Sequence, residues 1–221
     1  MKQVAIAVDG PAGAGKSSIS KVVAKELGLV YIDTGAMYRA AALYAIKHSI
    51  PITEPALIPH LDEIEIELKN QGEVQQVLLN GEDVTGKIRE PEVSMGASTI
   101  ATIPAVRLKL VDLQRDMAKK CSVIMDGRDI GTYVLPDADV KIYLTASIEE
   151  RAKRRFLEMQ EKGMECDMET LREDIRKRDE QDSGRAFAPL RRAEDAILLD
   201  SSDMTFDEVV ATMIGYIQKI R

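Results

Sequence analysis

Gly10-Pro11-Ala12-Gly13-Ala14-Gly15-Lys16-Ser17 has the residue types and the spacing of a phosphate cradle, G-x-x-x-x-G-K-[ST]. Glycines at 10, 13 and 15 allow backbone angles and close approach that a side chain would block. Successive N–H groups can then converge on phosphate oxygens at a helix N-terminus, where the helix dipole also favours an anion. Lys16 adds a positive charge, and Ser17 is the expected ligand of a Mg²⁺ ion that bridges phosphates. The chemistry such a set serves is the handling of ATP.

The flanking residues supply the elements that must hold this loop. Val4-Ala5-Ile6-Ala7-Val8 is short and apolar, as a strand buried on both faces is, and Lys16 to Leu27 repeats Ile19, Val22, Val23 and Leu27 at helical spacing. A second strand, Leu29 to Ile32, ends at Asp33-Thr34-Gly35. In open parallel sheets ligands bind beyond the carboxyl ends of strands, so Asp33 to Arg39 is expected near the ATP loop. Thr34 is expected to cap the next helix, with Arg39 one turn inside as a guanidinium fork for a second, anionic substrate. A third strand, Ser122 to Met125, runs into Asp126-Gly127-Arg128-Asp129-Ile130-Gly131-Thr132. Charges at that position are costly if buried without partners, so they read as site residues. Val140 to Leu144 and Ala196 to Leu199 give a fourth and a fifth strand.

Between Pro51 and about Ile103 the pattern changes. Glu63 to Leu68 alternates polar and apolar, and Val74 to Leu79, the Asn80-Gly81 turn and Asp83 to Thr85 suggest further antiparallel strands. This reads as a small β-containing insertion in a parallel α/β fold. Ser147-Ile148-Glu149-Glu150 and Thr205-Phe206-Asp207-Glu208 are capping boxes, each opening a helix, the last expected to reach about Ile220.

Nine of the fifteen arginines lie between 151 and 192, among them Arg151, Arg154 and Arg155 on one expected helix and Arg176 and Arg178 on a second, from about Glu169, that leads to Arg185, the two joined around Gly163. The whole chain carries a formal charge of −7, which argues against a general binder of nucleic acid polymers, but a local positive field fits inside an acidic molecule. A donor triphosphate and a phosphorylated acceptor repel each other, and arginines with Mg²⁺ are the means of bringing them together. The Arg-rich hairpin is therefore expected to close over ATP and exclude water. Two histidines and two cysteines show no ligand or nucleophile pattern. No apolar run reaches the length of a membrane span, and the strand pattern at Val4 leaves no room for a signal peptide, so a cytoplasmic protein without a membrane partner is expected.

The set G-P-A-G-A-G-K-S, D-T-G-A-M-Y-R, D-G-R-D-I-G-T and R-D-E-Q-D-S-G-R-A-F-A-P-L resembles the bacterial cytidylate kinase family, in the family's order and over nearly the whole chain. The resemblance implies a P-loop NTPase core with a five-stranded parallel sheet flanked by helices. It also implies a small β-containing NMP-binding insertion and a helical Arg-rich lid. The core would comprise 1–60 and 104–221, with the lid at approximately 154–186 and the insertion at 61–103. The activity implied is MgATP-dependent phosphorylation of CMP or dCMP in pyrimidine metabolism.

Carried over by motif, Gly10, Pro11, Ala12, Gly13, Ala14, Gly15, Lys16, Ser17, Ser18 and Arg154 would bind ATP, with Ser17 on the metal. Ser18 stands where many relatives have Thr, which keeps a hydroxyl there. Thr34, Arg39 and Arg128 would meet the acceptor phosphate. Ser98, Arg107 and Asp129 would meet the cytosine end, and Arg178, Asp182 and Arg185 the sugar and neighbouring groups. Lys16, Arg128, Arg154, Arg155 and Arg178 would act on the transferring phosphoryl; Arg151, Arg154 and Arg155 resemble lid residues acting on ATP and that group, and Asp126, following an apolar strand, resembles a residue that meets Mg²⁺ through water. A carboxylate such as Asp129 accepts from the exocyclic amine of cytosine, where uracil has a carbonyl. UMP is the nearer rival acceptor. A nucleotide-driven switch with a protein partner is a more distant one, and it leaves D-G-R-D and the arginine hairpin without a task. A monomer is expected.

Overall fold

The computed structural model describes residues 3–71, 74–161 and 163–219. The first elements in chain order are β1 (Ala5–Asp9), α1 (Lys16–Leu27), β2 (Val30–Asp33), α2 (Thr34–Lys47), α3 (Glu54–Leu57), β3 (Ile66–Gln71), β4 (Val74–Leu79) and β5 (Glu82–Asp83). They are followed by α4 (Pro91–Ile100), α5 (Pro104–Ala118), β6 (Val123–Gly127), β7 (Val140–Thr145), α6 (Ile148–Glu161), α7 (Met168–Ser183), β8 (Ile197–Asp200) and α8 (Phe206–Gln218). The main sheet is parallel, with five strands in the order β2-β6-β1-β7-β8. The chain forms two compact units, Met1–Leu29 with Val123–Arg221, and Val30–Ser122.

In the first unit β1 lies between β6 and β7, and Ile6, Ala7 and Val8 are fully buried, as its uninterrupted apolar run requires. Helix α1 buries Ile19, Val23 and Ala24 and ends at Gly28, whose positive φ of 64° lets its own N–H and that of Leu29 return to Lys25 and Ala24 carbonyls. The last strand, β8, leaves Leu198 half exposed, as an edge strand does. Helices α6 and α7 pack through Ala152, Leu171 and Ile175, and Gly163, at φ 68°, sits in their join. The capping box at Thr205–Glu208 is complete. The one expected at Ser147 is only half made. Ser147 Oγ accepts the Glu150 N–H, but Glu150 turns its carboxylate to Arg154 while the Ser147 N–H goes to Ser202. The expected end of the last helix at Ile220 lies outside the described residues.

In the second unit an antiparallel sheet, β3-β4-β5, accompanies α2 to α5 around one apolar core. Small residues set the packing of α2 on α4: Ala40, Ala41, Ala42 and Ala45 are fully buried, and a β-carbon at Gly96 would stand 3.3 Å from that of Ala42. Pro91 and Pro104 open α4 and α5 at the first turn, where the missing N–H costs nothing.

Candidate active site

The loop between β1 and α1 is shaped by backbone constraints. Gly10 has φ +146°, and a β-carbon there would meet the Leu144 carbonyl oxygen at 1.9 Å, so no other residue fits without displacing β7. Gly13 and Gly15 also take positive φ values, 77° and 89°. Lys16 is buried, and its Nζ donates to the carbonyls of Gly10 and Pro11, both at 2.7 Å, so the ammonium lies against the loop it serves. Burial, followed by the nearby Arg128 charge, lowers its pKa well below the usual lysine value, and Asp126, Asp9 and Asp182 oppose that shift. Ser17 Oγ donates to Asp126 Oδ2 at 2.6 Å. This pair of hard oxygens suits a divalent ion that takes one or two protein ligands and completes its shell with water and phosphate. Among the described residues no group of three or more His, Cys, Asp or Glu is placed to hold a metal by itself.

Beyond β6 the charged stretch is ordered by long-range bonds. Arg128 Nε donates to Asp182 Oδ2 at 2.7 Å, and Arg185 donates to the other oxygen of the same carboxylate. Burial works to raise the Asp182 pKa, but Arg128 and Arg185 outweigh it and hold the carboxyl below the ordinary range. Three of the expected acceptor residues thus come together. Residues 130–134 form a π-helical turn, in which Val134 and Leu135 donate to carbonyls five residues back at Asp129 and Ile130. Turns of this kind recur at functional sites.

The hairpin arginines divide. Arg151, expected on ATP, is buried and fully committed: Nε donates to Ala146 O, Nη1 to Ala12 O, and Nη1 and Nη2 grip Asp179 at 3.0 and 2.6 Å. It fastens α7 to the phosphate loop. Arg154 donates to Ser201 O and, at 3.5 Å, to Ala14 O, which sets it beside the same loop. Arg155 and Ser18 are exposed, and Arg178 is half-buried on α7.

The second unit holds Thr34, Arg39, Ser98 and Arg107. Thr34 is buried as the first residue of α2, but the cap is Asp33, whose Oδ1 accepts the Ala36 N–H at 2.8 Å. An aspartate one residue earlier is the better acceptor, and it serves twice, since Oδ2 also holds Arg39 Nη2 at 3.1 Å. Arg107 is 1% exposed on α5, donates to Ala101 O, and lies 5.7 Å from the Tyr38 ring centre. Ser98 is half-buried on α4.

Two residues without a motif complete these arrangements. Asp9 accepts the Ile130 and Gly131 N–H groups, each at 2.7 Å. Gln75, buried on β4, accepts the Asp33 N–H at 3.2 Å and donates to the Tyr31 carbonyl. A charge ending an apolar strand was the one available signal for Asp9, and for Gln75 there was none.

A strand, a glycine-rich loop and a helix carrying Lys and Ser at its first turn form the phosphate-handling architecture of P-loop kinases. A family model described as Cytidylate kinase matches residues 6–219. Cytidylate kinases from Caldicellulosiruptor saccharolyticus and Caldicellulosiruptor bescii are 55% and 52% identical over 221 residues, covering 100% of this chain and 98% of each relative. The chain belongs to the cytidylate kinase family, whose members are phosphotransferases. A solved structure, of an uncharacterized protein from Eubacterium ventriosum, is similar in fold with a TM-score of 0.53 at 16% identity, covering 99% of both chains.

Proposed function

We propose that this chain transfers the γ-phosphoryl group of MgATP to CMP or dCMP, giving ADP with CDP or dCDP, as a cytoplasmic monomer of pyrimidine nucleotide metabolism. The observation that carries this reading is the convergence of Arg128 and Arg185 on the buried Asp182, in the unit that also holds the Lys16 loop. Phosphoryl transfer asks chiefly for positioning and for positive charge around the phosphates. Residues 10–18 and Arg154 hold ATP, and Lys16, Arg128, Arg154, Arg155 and Arg178 stabilise the charge of the transferring group. Ser17, with Asp126 beside it, would hold a Mg²⁺ ion, which would supply positive charge to the phosphates when bound.

On the acceptor, Thr34, Arg39 and Arg128 take the phosphate, and Arg178, Asp182 and Arg185 the sugar and its surroundings. Ser98, Arg107 and Asp129 take the cytosine end. Asp129 accepts from the exocyclic amine, and a uracil carbonyl would face the same carboxylate with no proton to give. Residues 154–186 serve as a lid over a core of 1–60 and 104–221, and 61–103 as the NMP-binding insertion.

The test is ADP formation from MgATP with CMP, dCMP, UMP, AMP or GMP against a control without acceptor. Strong dependence on CMP and dCMP is the expected result. ADP formed at one rate whatever the acceptor would overturn the proposal in favour of an ATP-driven switch. Asp129→Ala is expected to erase the preference for CMP over UMP.

A further inference from the structure

The turn that follows β6 is capped from an unexpected place. Asp129 flanks its first residue, where an aspartate ordinarily accepts from the N–H groups just ahead of it. Its side chain makes no such cap bond. Those donors go instead to Asp9 at the end of β1: Oδ1 takes the Ile130 N–H and Oδ2 the Gly131 N–H, both at 2.7 Å. Asp9 is 4% exposed, so the contact is an interior one. Gly131 admits the carboxylate, since a β-carbon there would stand 3.3 Å from Asp9 Oδ2 and 3.1 Å from Lys141 Cδ. Burial pushes the Asp9 carboxyl up from 3.8 to about 6 against the pull of the two N–H groups. The turn therefore helps to keep charged the group that holds it.

We propose that Asp9 is a positioning residue which, by capping the 130–134 turn from β1, fixes where Arg128 and Asp129 meet the acceptor nucleotide. Because β1 runs directly into Gly10, one strand end then sets both the phosphate cradle and the acceptor turn. The inference rests on the reading of Asp129 as the contact for the cytosine end.

The experiment is steady-state kinetics of Asp9→Asn, Gly131→Ala and Asp129→Ala beside the unaltered protein. CMP and UMP are varied at saturating ATP, and ATP at saturating CMP. Asp9→Asn turns one acceptor into an NH₂ group facing an N–H. It is expected to raise KM for CMP about tenfold and to cut the preference for CMP over UMP by a similar factor, with KM for ATP within about twofold. Gly131→Ala keeps every charge and pushes the same contact apart, and should move the same two quantities about threefold. If Asp129→Ala alters the preference while neither other variant does, the role of Asp9 is overturned and the cytosine reading stands. An Asp129→Ala variant with unchanged preference overturns the cytosine reading and this inference with it. A change confined to KM for ATP in Asp9→Asn would assign the carboxylate to Lys16 and overturn the proposal. Should Asp9→Asn fail to fold, Gly131→Ala decides alone.

Discussion

The segments that follow β1 and β2 each carry a cation, Lys16 and Arg39, yet they are held in place by opposite means. After β1 the backbone does the work: Gly10, Gly13 and Gly15 take positive φ values, and the Leu144 carbonyl occupies the space a side chain at 10 would need. After β2 side chains do it. Asp33 divides its two oxygens between the Ala36 N–H and Arg39, and the Gln75 amide bonds the backbone on either side of Ile32. A loop held by backbone geometry dictates its residue types, and a segment held by side chains draws on partners from distant parts of the chain.

The sharpest way to break this contrast is Gly10→Ala, which forces a β-carbon onto β7 and is expected to cost about 5 kcal/mol or more in chemical denaturation. A cost below about 1 kcal/mol would show that the loop yields and is not set by its backbone. Lys16→Ala acts on the same loop and leaves its glycines in place. It should lower kcat by about 10²–10³-fold, about 3–4 kcal/mol, with the circular dichroism of the folded protein retained. Loss of the folded signal would mean that the two Lys16–carbonyl bonds hold the loop as firmly as the glycines do.

Asp9 extends the test to charge. A carboxyl raised from 3.8 to about 6 in the folded state favours the fold below about pH 4, and that contribution is lost as pH rises through about 6. The stability difference between wild-type protein and Asp9→Asn should therefore shift against the wild type by up to about 3 kcal/mol between pH 4 and 7. A difference that stays flat across this window would show that Asp9 carries no such burial cost. On the side-chain-built segment, Gln75→Leu leaves the Asp33 N–H and the Tyr31 carbonyl unsatisfied. It should cost about 2 kcal/mol of stability and raise KM for CMP several-fold while leaving KM for ATP unchanged. An unchanged KM for CMP would separate Gln75 from the placement of Arg39.

The same contrast explains what could be read from the chain beforehand. The phosphate loop, the five strands and the arginine hairpin were legible because glycine spacing, apolar runs and helical repeats are local patterns. Thr34 was the wrong cap because Asp33 and Thr34 stand side by side and both offer a capping oxygen, and only the bond to Ala36 shows where the helix begins. The partners of Arg151 were not legible, since nothing in an R-x-x-R-R run reveals that one member faces Asp179 and two carbonyls. Asp9 and Gln75 escaped for a related reason: each completes a backbone whose donors lie more than forty residues away.

The placement of β1 has a consequence for synthesis. This strand and its phosphate loop leave the ribosome well before either neighbour of β1, Ala5 pairing with Val123 and Ile6 with Val140. Residues 30–122 form a contiguous compact unit that can collapse while β1 waits, so a strand made before that unit is closed after it. During that interval an apolar strand with no partner is exposed to chaperones and to other nascent chains, and the rate at which β6 and β7 arrive sets how long the hazard lasts.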